Sequence, residues 1–189
     1  MAKLGVFNFV TLNGFFEGSP GDISWHRHGE EESKFSEESI KAGGMLLFGR
    51  VTYQMMASFW PTPDATRMFP VVAEGMNKAD KVVFSRTLKT IEWNNTRLVN
   101  DNLVEEIRKM KQTSPKDMTI LGSGSVVTQC AENGLIDSYQ VMVDPVILGT
   151  GATVCKGISR KVDLRLTSTR AFRSGVVLLS YEPISEIVK

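Results

Sequence analysis

Met118-Thr119-Ile120-Leu121-Gly122-Ser123-Gly124-Ser125-Val126-Val127 runs from a short apolar strand, through a Gly/Ser turn, into the start of a helix. Glycine lets the backbone turn tightly and lets a ligand approach without a Cβ in the way. The unpaired N–H groups of a helix start carry partial positive charge, so the stretch suits an anion, above all a nucleotide phosphate. The same residues also serve as a plain strand-to-helix turn that needs glycine for its geometry, and the stretch alone does not separate the two readings.

Outward from it, strands and helices alternate. Upstream lie the β-type runs 4–11, 45–48 and 81–84, which end at Asn13-Gly14, Gly49-Arg50 and Ser85-Arg86, with a weaker strand at 96–99. Between them the sequence predicts helices over 33–42, 52–59, 65–77 and 103–111. The second is stopped by Pro61 and Pro63, and the last carries Leu103, Ile107 and Met110 at helical spacing with a cap from Asn100 or Asp101. After the turn come a helix to about Ala131 and a strand over 138–143. Segments 162–172 and 176–181 flank Arg173-Ser174-Gly175 as an antiparallel hairpin. The expected fold is α/β, a mostly parallel central sheet flanked by helices with an antiparallel C-terminal hairpin, in one domain over residues 1–189.

Composition narrows the partners. The 22 basic and 21 acidic residues give a formal net charge of +1 without long single-sign blocks, which points away from nucleic acid and from an anionic membrane. No apolar run approaches a membrane span and no signal-peptide core follows Met1, so a cytoplasmic protein is expected. Cys130 and Cys155 suggest neither a disulfide framework nor a zinc site, and both read as structural thiols.

Ligands of open α/β sheets collect at the carboxyl ends of the strands. Three such ends offer Gly49-Arg50-Val51-Thr52, Ser85-Arg86 and Gly122-Ser123-Gly124-Ser125: two arginines, several hydroxyls and a helix-start nest for a ligand with several phosphates. The turn is neither a Gly-x-Gly-x-x-Gly fingerprint nor a Walker motif. In this order and spacing, Gly49-Arg50-Val51-Thr52-Tyr53, Ser85-Arg86 and Leu121 to Ser125 resemble the cofactor-binding segments of the dihydrofolate reductase superfamily. The similarity is closest to its branch with the RibD C-terminal, riboflavin-biosynthesis reductase domain. Val10-Thr11-Leu12-Asn13-Gly14-Phe15, Leu135-Ile136-Asp137 and Pro145-Val146-Ile147-Leu148-Gly149-Thr150-Gly151 resemble further motifs of that branch.

The resemblance implies a dihydrofolate-reductase-like three-layer fold and NADPH as reductant. It sets Arg50 and Thr52 near the pyrophosphate, Ser85-Arg86 near the adenosine 2′-phosphate, and Gly122, Ser123, Gly124 and Ser125 against the pyrophosphate and nicotinamide side, with Gly49 in the first of these segments. It further implies reduction of a pterin, pyrimidine or related heterocycle, with the 5-amino-6-(5-phosphoribosylamino)uracil reductase reaction as the specific expectation. Relatives often form homodimers, for which residues 162–181 offer an apolar face. Alternatives are an NADPH reductase of an unrelated small molecule and a non-catalytic nucleotide-binding protein.

Proton-delivering groups are few. Relatives commonly have an aspartate where this chain has Asn13, and an amide cannot deliver a proton as a carboxyl can; Asn13 remains a substrate contact or a turn residue. His26 is a candidate proton donor and Trp25 a candidate stacking surface for a planar substrate, both in the long loop after the first strand. Glu30-Glu31-Glu32 reads as a solvated helix start, and Asp144, before Pro145, as a turn former.

Overall fold

Runs of buried apolar residues set the sheet. A computed structural model describes residues 1–19 and 21–184. The chain runs β1 (Leu4–Thr11), β2 (Phe15–Glu17), α1 (Glu30–Lys41), β3 (Met45–Gly49), α2 (Arg50–Phe59), α3 (Pro63–Met68), α4 (Pro70–Lys78), β4 (Asp80–Phe84), β5 (Thr96–Val99), α5 (Leu103–Thr113), β6 (Met118–Leu121), α6 (Gly124–Glu132), β7 (Ser138–Asp144), β8 (Ala152–Thr153), β9 (Leu164–Ala171) and β10 (Val177–Pro183). Eight strands form one sheet in the order β5-β4-β3-β6-β1-β7-β10-β9, and β2 pairs with β8 in a small second sheet. The first six are mutually parallel, while β10 and β9 close the sheet antiparallel. Among the described residues no helix is long and apolar enough to cross a membrane.

Alternation along the strands builds two cores. Leu47, Val82, Ile120, Leu4 and Val6 face one side, against Ile107 and Met110 of α5 and Val126, Val127 and Cys130 of α6. Leu46, Phe48 and Val83 face the other, against Tyr53 of α2, Met76 of α4 and Trp93. On that same side Phe7, Phe9 and Met142 pack with Phe35 of α1 and with Phe172, Val176 and Leu178. Helices on both faces of a largely parallel sheet are the three-layer arrangement expected from the sequence.

Two details depart from the sequence reading. The helix expected over 65–77 is broken: Phe69, at φ −137° and ψ 61°, separates α3 from α4, because the ring of Pro70 excludes the residue before it from the helical region. The cap expected from Asn100 or Asp101 falls instead at Asn102, a left-handed residue (φ 55°) that makes no side-chain cap; Asp101 Oδ1 accepts from the Asn102 N–H at 2.9 Å. Lys81, inside β4, is buried. Its Nζ donates to the carbonyls of Met76 (2.9 Å), Asn77 (3.3 Å) and Ala79 (2.7 Å) at the end of α4 and lies over the Trp93 ring, and burial pushes its pKa down to about 8.

Candidate functional site

The carboxyl ends of β5, β4, β3, β6, β1 and β7 lie side by side, and the residues singled out in the sequence fall on them in turn. Next to β6, the Gly122-Ser123 pair is left-handed at both positions, φ +57° and +60°, and launches α6. Among the described residues no backbone carbonyl accepts from the N–H groups of Gly124 and Ser125, so the helix start keeps two free donors. The Ser123 hydroxyl is engaged: it accepts from the Gly49 N–H (2.8 Å) and donates to the Leu121 carbonyl (3.0 Å), stitching the end of β3 to the end of β6. Its contribution is geometry rather than a free hydroxyl. Gly122 is packed against Thr52, where a Cβ would come within 3.2 Å of Cγ2.

Arg50 is exposed in the first turn of α2 and donates to Gln54 Oε1 at 2.9 Å. Ser85 accepts from the N–H groups of Thr87 (3.2 Å) and Leu88 (2.9 Å), which closes the turn that presents Arg86. Arg86 is exposed and has no partner among the described residues. A cleft of about 470 Å³ joins Ser85 and Arg86 to Asn100, Asp101, Ser125 and Gln129. Glu105 also lines it but is ion-paired with Arg108, while Asp101 is turned to the start of α5. Among the described residues, Arg86 is the one cation lining that cleft.

At the other end, β1 and β7 finish together, with Thr11 paired to Asp144. Asp144 is fully buried: Oδ2 is 2.7 Å from His26 Nδ1 and Oδ1 accepts from the Arg27 N–H at 2.9 Å. Such a partner fixes which ring nitrogen of His26 carries the hydrogen and leaves Nε2 for other chemistry. The His26 ring stacks on Phe9 at 3.6 Å and meets the His28 ring edge-on at 4.4 Å. His28 in turn lies 5.9 Å from Phe69, so an aromatic wall runs from β1 to the α3–α4 break. Desolvation by its packed neighbours, reinforced by His26, holds the His28 pKa below the usual histidine value.

The other loop candidates are less available. Asn13 Oδ1 accepts from the Thr11 hydroxyl (2.8 Å) and the Leu148 N–H (3.2 Å), and Nδ2 donates to the Leu148 carbonyl (2.7 Å), so its amide clamps the 145–151 segment to the end of β1. Trp25 Nε1 donates to the Asp22 carbonyl at 2.9 Å, and its ring stands edge-on to His26 at 6.3 Å. Two expectations for acidic residues change. Asp144 is the buried anchor of the His26 loop rather than a turn former, and Glu32 is buried and accepts from the Ser174 hydroxyl rather than lying in solvent. Asp144 and His26 are 118 positions apart, and they meet because the loop after β1 folds back over the end of β7.

A parallel sheet flanked on both faces and closed by an antiparallel hairpin, with a nest at the α6 start, is a dihydrofolate-reductase-like fold. Dihydrofolate reductase from Enterococcus faecalis, solved with NADP(H), matches it with a TM-score of 0.65 at 16% identity over 96% of each chain. The chain belongs to the RibD C-terminal domain family, whose sequence profile matches residues 2–178. The uncharacterized protein YyaP of Bacillus subtilis (strain 168) is 30% identical over 172 residues, 91% of this chain and 90% of that one. The Thermotoga maritima diaminohydroxyphosphoribosylaminopyrimidine deaminase/5-amino-6-(5-phosphoribosylamino)uracil reductase matches with a TM-score of 0.68 at 16% identity, over 97% of this chain and 57% of that chain.

Proposed function

We propose that the protein is an NADPH-dependent reductase of a planar nitrogen heterocycle, a pterin or pyrimidine, with 5-amino-6-(5-phosphoribosylamino)uracil reduction as the specific reaction to test first. The observation that carries this reading is the order of groups along one row of strand ends. Arg86 stands at β4, Gly49 and Arg50 at β3, the two free N–H groups beside β6, and the His26–Asp144 pair at the end of β7. Neighbouring strands are about 4.8 Å apart, so β4 and β1 lie roughly 14 Å apart, room for an extended dinucleotide. The residues present fit one. The Gly122-Ser123 turn brings backbone donors up to a pyrophosphate, and Arg86 is an unpartnered guanidinium suited to a 2′-phosphate.

When bound, NADPH supplies a hydride. The chain's own part is to orient the two reactants and to deliver a proton to the heteroatom released by the reduction, the nitrogen of a C=N bond or the oxygen of a sugar carbonyl. His26 is the group for that role, since Asp144 holds Nδ1 and among the described residues Nε2 has no partner. The His28 and Phe69 rings, next to His26, offer flat faces for the heterocycle. One observation favours a second reading: the Asn13 amide, standing where relatives commonly have an aspartate, is consumed by the Leu148 clamp, which suits a protein that binds the nucleotide without turnover. Thermal-shift titration with NADPH followed by absorbance at the reduced-nicotinamide band separates the two. Stabilisation plus oxidation of NADPH with the ribosylaminouracil phosphate or dihydrofolate supports the reductase. Stabilisation without turnover of either compound removes these two substrates and leaves the binding protein or a reductase of an unrelated small molecule, and no stabilisation removes every one of these readings.

A further inference from the structure

Asn8 is the polar residue of β1 that the reading above does not use. Strand alternation puts its side chain on the face that carries Leu4 and Val6, the face packed against α6. Phe7 pairs with Leu121, so the next position, Asn8, is level with Gly122, the first residue of the nest. The residue is 3% exposed, and its Nδ2 is, among the described residues, the side-chain nitrogen or oxygen that is sealed from solvent with no hydrogen-bond partner. Among the described residues Oδ1 also has no partner but is not sealed in that way, so one edge of the amide borders accessible space. A buried amide donor left unpaired costs about 1–3 kcal/mol, a cost that valine or leucine would avoid at this place in a central strand.

We infer that Asn8 is the residue that pairs with the carboxamide of the nicotinamide ring, an inference that rests on the dinucleotide reading above. The phosphates are accounted for by the α6 nest and Arg86, and β1 is the next strand beyond the nest on the side away from Arg86. The ligand group that falls there must meet an amide with one donor and one acceptor to offer. A primary carboxamide is the complementary partner: its C=O accepts from Nδ2 while its NH2 donates to Oδ1, and a half-rotation of the Asn8 amide reverses both roles without moving the backbone. The small β2–β8 sheet packs on the start of α6, beside the nest. Gly124 is packed so closely that a Cβ would lie 2.9 Å from the Val154 carbonyl oxygen and 3.6 Å from the Phe16 ring, so binding is expected to displace that arm.

The test compares wild type with Asn8→Leu, which keeps the size and removes the amide, by calorimetric titration of NADPH and of 2′,5′-ADP, the half of the cofactor without nicotinamide. The expected result is a loss of NADPH affinity of about tenfold or more, unchanged binding of 2′,5′-ADP, and a thermal midpoint of the free protein equal to or above wild type. Equal NADPH affinity in the two proteins overturns the inference, as does a parallel loss of both ligands. Failure of wild type to bind NADPH at all instead removes the dinucleotide reading itself. Should Asn8→Leu not fold, the wild-type protein is titrated with the 3-acetylpyridine analogue of the cofactor, which lacks the carboxamide NH2. Weaker binding than NADPH supports the pairing, and equal affinity overturns it.

Discussion

Replacing Asp144 by alanine should loosen the long 18–29 loop and cost the protein a large part of its stability. The carboxylate is fully buried and accepts two hydrogen bonds, from His26 Nδ1 at 2.7 Å and the Arg27 N–H at 2.9 Å. Hydrogen bonds to a charged group are worth about 1.5–3 kcal/mol each, and the truncation leaves both donors without their acceptor, so Asp144→Ala should lose roughly 3–5 kcal/mol. Asp144→Asn is the sharper control. Its oxygen can accept from the Arg27 N–H while its NH2 meets His26 Nδ1, a contact satisfied only if the ring moves its hydrogen to Nε2, and neither bond then has a charged partner, so it should recover only part of the loss. Urea unfolding followed by far-ultraviolet circular dichroism reads the difference as a shift in midpoint at constant slope. A loss below about 1 kcal/mol for Asp144→Ala, or full recovery in Asp144→Asn, would refute the view that this carboxylate anchors the loop through two hydrogen bonds.

Gly124→Ala should push the β8 segment away from the α6 start, because the new Cβ would lie 2.9 Å from the Val154 carbonyl; a loss of about 1–3 kcal/mol in thermal or urea unfolding is expected, and an unchanged midpoint would show that the segment yields freely. For Lys81, the folded pKa of about 8 lies below the ordinary lysine value of 10.5, so between these limits the unfolded chain binds more protons and stability rises with pH. Wild type should therefore gain on Lys81→Met as the pH is raised from 8 to 10.5, measured by urea unfolding at several pH values; a constant difference would contradict the buried ammonium. The His28 pKa is lowered in the folded protein, so the unfolded chain takes up protons first on acidification and stability falls as the pH drops below about 6.5. His28→Gln should flatten that fall, and an unchanged profile would place the acid sensitivity elsewhere.

Much of this architecture is legible in the residues. Buried runs such as Leu46-Leu47-Phe48 and Val82-Val83-Phe84 carry apolar side chains on both faces, which only a sheet covered on both sides satisfies, and Leu103, Ile107 and Met110 mark the buried side of α5. The α3–α4 break is harder to read because proline is also favoured at the first position of a helix, so Pro70 can open one helix as readily as it ends another. The strand ends that could hold the cofactor are visible as Gly49-Arg50, Ser85-Arg86 and Gly122 to Ser125 because each follows a recognisable strand. The His26–Asp144 pair is not visible, since it depends on how the loop after β1 folds back onto the end of β7, where Asp144 lies 118 positions from His26. Asn8 did leave a signal: a polar residue breaks the inward series Leu4, Val6, Asn8 of β1, where the alternation calls for an apolar one. The hydroxyl of Ser123 shows the opposite limit, because sequence spacing gives its place beside the nest but not its engagement with Gly49 and Leu121.

Calorimetric titration of wild type and Arg86→Ala with NADPH and NADH decides whether a 2′-phosphorylated dinucleotide lies across the strand ends with Arg86 on its phosphate. A charge-assisted hydrogen bond to phosphate is worth about 1.5–3 kcal/mol, so wild type should bind NADPH roughly 10- to 150-fold more tightly than NADH, with one cofactor per chain. Arg86→Ala should erase most of that preference while leaving NADH affinity unchanged. Binding of neither cofactor, or equal affinity for the two in wild type, would rule that placement out.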